Sequence, residues 1–153
     1  MEETRRQLLW SGMLLFLLGL LTGLVEQKFS NPRMGLAAHL EGLMNGTFLL
    51  VLGAIWGHIR LSSRLSAAAY WSVMYGTFVN WAVTTVAAIL GTLSQTPITG
   101  ARSSGQPWQE AMVSVGFVSV ALAMLACSIL ILWGLRPRAL LLSVERAAGS
   151  RPA

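Results

Sequence analysis

Four long apolar stretches separated by short polar links make up most of this chain, and they leave it few folds. A helix needs roughly 20 mostly apolar residues to cross about 30 Å of hydrocarbon. Residues 7–25, 36–59, 67–93 and 109–135 each meet that length. Hydrocarbon offers no partner to open backbone groups, so each stretch must satisfy its own amides as a helix. Charged residues make up only 11% of the 153 residues against 54% hydrophobic, where a soluble domain carries about 25% charged. The expected fold is all-α: one integral membrane domain, residues 1–153, built as a four-transmembrane-helix bundle with a short tail at 136–153. The first stretch is too long for the apolar core of a removable signal peptide, and no small-residue cleavage site follows it. The single cysteine, Cys127, excludes a disulfide within the chain or a thiolate metal cluster, and reads as packing.

The net charge of +5 does not gather on a polar surface, so it reads as a topology signal rather than a nucleic-acid footprint. Arg5, Arg6, Arg60, Arg64, Arg136, Arg138, Arg146 and Arg151 fall at one end of the bundle; Lys28, Arg33 and Arg102 fall at the other. The positive-inside rule then places both termini in the cytoplasm. The link RLSSRLS at 60–66 is tight, so the second and third spans are expected to be antiparallel neighbours. The tail segment LLLSV at 140–144, mixed with basic residues, suits the membrane surface. Trp10, Trp56, Trp71, Trp108 and Trp133 sit near span ends as interfacial anchors, whereas Trp81 lies deep.

Small residues recur at Gly12, Gly19 and Gly23 in the first span and at Gly42, Gly46 and Gly53 in the second, which lets helix backbones approach closely. Packing within a chain, between subunits or against a flat cofactor would all use them. Polar groups inside a span are costly and mark function. The second span opens AAHLEGLMNGTF, bringing in His39, Glu41 and Asn45, with Glu41 and Asn45 one helical turn apart on a shared face. The third carries Asn80 among Tyr75, Thr77, Trp81, Thr84 and Thr85. His58, beside Arg60, reads as a headgroup-facing residue, and Glu110 as a helix-start carboxylate or a catalytic group. His39 stands between two roles, binding a backbone carbonyl or binding metal. A neutral imidazole is a common haem ligand, and Ala38, Gly35 and Gly42 beside it would admit a flat macrocycle. No second deep histidine would complete a six-coordinate iron, and no CxxCH motif attaches haem covalently.

The segment NPRMGLAAHLEGLMNGTFLLVLGAIW, with YGTFVNWAVT and the stretch from TPITGA to PWQEA, resembles the bacterial hydroxylaminobenzene mutases, from about Arg6 to Leu135. The resemblance implies a membrane isomerase that converts hydroxylaminobenzene to 2-aminophenol in the bacterial inner membrane. More distantly the chain is similar to styrene oxide isomerase, a four-helix membrane protein with haem b between the subunits of a trimer. There the iron-binding histidine is followed six positions on by an asparagine and later by a second one. His39 and Asn45 have that interval, and Asn80 falls at the second asparagine. The likeness therefore implies haem b on His39 as its axial ligand, an iron acting as Lewis acid, Asn45 on the substrate, and a homo-oligomer. Thr84 stands where that relative has a tyrosine, and Tyr75 is a candidate to compensate. Competing readings are epoxide isomerisation on the same scaffold, a non-catalytic haem-bearing anchor, and a cofactor-free structural or transport protein with a polar packing network.

Overall fold

The computed structural model describes residues 2–93 and 105–137. Four helices account for nearly all of them: α1 (Glu2–Val25), α2 (Pro32–Ile55), α3 (Ser63–Leu90) and α4 (Pro107–Gly134). All four are long and apolar enough to cross a membrane, and no strand occurs among the described residues. Single 3₁₀ turns, Glu26–Lys28 and Trp56–His58, lead out of α1 and α2. The expected all-α architecture is the observed one. The tail beyond Pro137 and residues 94–104, with Arg102, Arg138, Arg146 and Arg151, lie outside the described residues.

The helices start ahead of their apolar stretches, and the starts of α2, α3 and α4 carry specific caps. Asn31 caps α2, its side-chain oxygen accepting from the Met34 amide at 3.2 Å, and Pro32 at the first helical position lacks the amide that would go unpaired there. Ser62 caps α3 in the same way, accepting from the Leu65 amide at 3.5 Å. That helix ends at Leu90, short of the expected 93, because Gly91 turns into the left-handed region at φ 69° and the Thr92 amide folds back onto the Ala87 carbonyl. At the start of α4 the Gln109 side chain accepts from the Gln106 amide at 2.7 Å, and Pro107 follows the cap.

Packing is closest between α1 and α2. A Cβ placed on Gly12 would stand 2.8 Å from the Gly46 carbonyl, and one on Gly19 would stand 2.7 Å from the Leu43 amide. The backbones thus touch without intervening side chains, the arrangement that lets helices associate where lipid removes the hydrophobic drive. Toward the arginine-rich end the core holds Leu8, Leu15, Leu49, Leu52, Trp56 and Val73, among others; a smaller cluster of Met34, Ala87, Ala88 and Val113 closes the opposite end. Trp56 is therefore a core residue, 5% exposed, and not the interfacial anchor its position suggests; Trp10, Trp71, Trp108 and Trp133 are exposed as expected. Helix α4 lies on α3 through Met124 over Gly76 and Val83 against Gly116, and turns Val115, Val118, Leu122, Leu125 and Leu132 outward.

Backbone clips join the elements at both ends. The Arg60 amide donates to the Gly134 carbonyl (2.9 Å) at the arginine-rich end, where the Arg136 guanidinium stacks over Trp133. At the other end the Asn31 amide reaches the Ala88 carbonyl and its side-chain amide reaches the Thr92 carbonyl, both at 2.9 Å. The Leu93 amide donates to Glu110 Oε1 at 2.7 Å. Glu110, expected as a helix-start carboxylate or a catalytic group, is thus seen accepting from the backbone that leaves α3, while Gln106 and Gln109 cap α4.

Candidate active site

His39 lies two turns into α2, about 10 Å from its start at 1.5 Å per residue. Its ring is half-buried and turned toward α1. Nδ1 is 2.8 Å from the Gly19 carbonyl, an atom that can only accept, so Nδ1 carries a hydrogen, and in the neutral ring Nε2 is left with the lone pair. Gly23, one turn further along α1, forms the surface beneath the ring: a Cβ there would come within 2.5 Å of Nδ1 and 2.8 Å of Cε1. Among the described residues no group of three His, Cys, Asp or Glu side chains is placed to hold a metal ion. His39 offers one oriented nitrogen.

The small residues expected beside a macrocycle serve the helix seam. Ala38 is fully buried, Gly42 lies against the Gly19 backbone, and Gly35 lies against the Glu26 carbonyl and the Phe29 ring. Glu41 and Asn45 share a face, as their spacing requires, and that face looks at α3. Thr84 Oγ1 donates to Glu41 Oε2 at 2.6 Å and lies 2.9 Å from the Asn80 carbonyl. The Asn45 side-chain amide reaches only to the Thr77 carbonyl, at 3.5 Å, a contact at the limit of a hydrogen bond. Asn80 lies half-buried one turn before Thr84.

Within one chain His39 and the Glu41–Asn45 pair therefore occupy opposite flanks of the buried face of α2, one against α1 and the other against α3. Tyr75 belongs to neither group: it is 47% exposed and its hydroxyl bonds to Ser119 on α4 at 2.9 Å. His58 is exposed in the turn after α2, in keeping with its headgroup-facing reading.

Sequence reasoning passed over two partners at this level. Trp81 donates its indole N–H to Thr22 Oγ1 at 3.2 Å, and Thr22 in turn donates to the Leu18 carbonyl at 2.8 Å. A buried indole N–H requires an acceptor, so the depth of Trp81 was a signal, but nothing in the sequence said which helix supplied it. The Gly19 carbonyl is a backbone atom and carries no sequence signature at all.

Four membrane-length helices, with an imidazole held on one flank of α2 and Glu41 and Asn45 on the other, define a small integral-membrane protein with a polar interior. The chain belongs to the styrene oxide isomerase family, whose model matches residues 4–136. It is 41% identical over 150 residues to hydroxylaminobenzene mutase HabB of Ectopseudomonas oleovorans, covering 97% of this chain and 92% of that protein. It is 38% identical over 126 residues to hydroxylaminobenzene mutase HabA of the same organism, covering 82% of this chain and 93% of that protein. The relationship makes this chain an isomerase of the mutase type. No solved structure matches it significantly.

Proposed function

We propose that this enzyme converts hydroxylaminobenzene to 2-aminophenol by intramolecular hydroxyl transfer, with a haem b held by His39. The observation that carries the reading is the His39 ring itself, its Nδ1–H committed to the Gly19 carbonyl and its Nε2 left as a donor of electrons. Metal-binding histidines characteristically use the second nitrogen this way, which fixes the tautomer and raises ligand basicity. When bound there, haem supplies a Lewis-acidic iron.

The reaction is an isomerisation: the N–O bond breaks, an ortho C–O bond forms, and the ortho hydrogen is replaced by one on nitrogen, with no oxidant consumed. What the chain must do is hold the aromatic ring, steady the migrating oxygen and keep water out. Asn45, held by one long contact, has its amide available for a substrate heteroatom, and Asn80 sits on the facing helix to bind oxygen or ring. Apolar walls in the membrane interior strengthen those hydrogen bonds and deny water to a cationic intermediate. Thr84, in place of a bulkier phenol, is engaged with Glu41.

Because His39 and Asn45 lie on opposite flanks of α2, a second copy of the chain is the natural source of the missing half of each site. A homo-oligomer, a trimer by analogy with the distant relative, sets His39 of one chain near the asparagines of the next. The arginine-rich end carrying the N-terminus is assigned to the cytoplasm and the protein to the bacterial inner membrane.

Purified protein is expected to show a Soret band that His39→Ala abolishes, and to form 2-aminophenol from hydroxylaminobenzene. An active but colourless wild type would refute the haem. Turnover of styrene oxide with none of hydroxylaminobenzene would assign the chain to epoxide isomerisation instead. In ¹⁸O-labelled water the aminophenol should remain unlabelled, and extensive incorporation would rule out intramolecular transfer.

A further inference from the structure

Trp81 makes no contact with His39 that the proposed reaction requires, yet three features tie it to the histidine's support. Its indole edge borders Gly42: a Cβ on that glycine would stand 3.2 Å from Trp81 Cδ1 and 2.9 Å from the Gly19 amide nitrogen. Gly42 and Gly19 are in backbone contact, and Gly19 supplies the carbonyl that holds Nδ1. The indole N–H then reaches over to Thr22, which precedes Gly23, the residue beneath the imidazole. Thr22 is 5% exposed and is itself anchored on the Leu18 carbonyl.

Side-chain hydrogen bonds between α1 and α3 occur at two levels among the described residues. One joins Tyr70 to Gln7 near the arginine-rich end, and the other is Trp81 to Thr22. The second ties α1 to α3 at the turn that cradles His39, beside the Gly19–Gly42 backbone contact between α1 and α2. Without it, the turn of α1 from Gly19 to Gly23 loses its side-chain tie to α3, and a small rotation there would turn the Gly19 carbonyl off the line of the 2.8 Å imidazole–carbonyl bond.

We propose that Trp81 and Thr22 form a positioning pair that fixes the Gly19 carbonyl and so holds the His39 ring in one tautomer and one orientation. The inference rests on the proposed role of His39, but its first test does not need haem. The chain contains two histidines, so ¹⁵N-imidazole labelling in a His58→Gln background leaves His39 as the one signal. In cofactor-free protein that signal should report a single tautomer, protonated at Nδ1. Trp81→Phe and Thr22→Val should each shift it to a mixture of both tautomers, while Thr22→Ser, which keeps the hydroxyl, should restore the single form. The double variant should be no worse than either single one.

In haem-loaded protein the same substitutions should lower the iron–histidine stretching frequency and reduce kcat several-fold with little change in KM. If Trp81→Phe does not fold, the Thr22→Val and Thr22→Ser pair decides the matter. Unchanged tautomer populations in Thr22→Val, equal effects of Val and Ser at position 22, or additive losses in the double variant would each overturn the proposal. A wild type that binds no haem but shows the tautomer response would refute the cofactor assignment and leave the positioning pair intact.

Discussion

Replacing Gly23 with alanine adds one methyl group directly beneath the His39 ring. The new Cβ would stand 2.5 Å from Nδ1, 2.8 Å from Cε1 and 3.0 Å from Cγ, where ordinary contact begins near 3.4 Å. The imidazole is rigid and lies close to its own backbone, so it cannot swing aside as the end of a lysine would. It must withdraw by about 0.9 Å, which stretches a 2.8 Å bond to Gly19 beyond the hydrogen-bonding range. The lost bond costs about 1 kcal/mol, and the crowding of a closely packed seam adds about 1–3 kcal/mol. Together, at the rate of roughly 2–4 °C per kcal/mol for a chain of this size, the variant should melt roughly 4–16 °C lower in detergent. Its visible spectrum should also weaken or shift, because the ligand nitrogen moves with the ring. Gly57→Ala is the control, since a Cβ there meets nothing within 4 Å, and it should melt as the wild type does. A Gly23→Ala protein that melts within a degree of wild type and keeps its spectrum would show that the ring does not rest on this glycine.

Other substitutions probe the remaining contacts. Thr84→Val removes the donor to Glu41 and leaves a carboxyl unpaired between α2 and α3, which should destabilise by about 1–3 kcal/mol in thermal unfolding; Thr84→Ser should recover most of it. Asn31→Ala loses both the cap of α2 and the bond to Thr92, at about 1 kcal/mol for each, so a combined fall near 2 kcal/mol is expected; a fall below a few tenths would mean the clip is not formed. Tyr75→Phe deletes an exposed bond to Ser119, worth less than about 1 kcal/mol, and should leave turnover of hydroxylaminobenzene unchanged. A large fall in kcat would bring Tyr75 back into the substrate site.

The helices were legible because hydrocarbon admits so few solutions. Length, hydropathy and the scarcity of charge sufficed to specify four spans, and the observed helices overlap all four. Their ends were less legible, since Asn31–Pro32, Ser62 and Gly91 act through cap geometry that average hydropathy does not register. Periodicity also gave the shared face of Glu41 and Asn45, because an i, i+4 spacing on a helix has one geometric meaning.

Which helix each face meets was another matter. Periodicity fixes angles around one axis and says nothing of what stands opposite, so tertiary packing alone put His39 against α1, the Glu41–Asn45 pair against α3, and Tyr75 against α4. The same holds for Trp56, whose place at a span end suggested a lipid interface until the turn after α2 folded it inward. By itself the sequence determined a four-span membrane protein with His39, Glu41, Asn45 and Asn80 as its costly interior polarity. Tertiary structure decided how that polarity is satisfied, because the partners are the Gly19 carbonyl for His39, a group every residue type possesses, and the Thr84 hydroxyl on another helix for Glu41, and only close helix contact selects them.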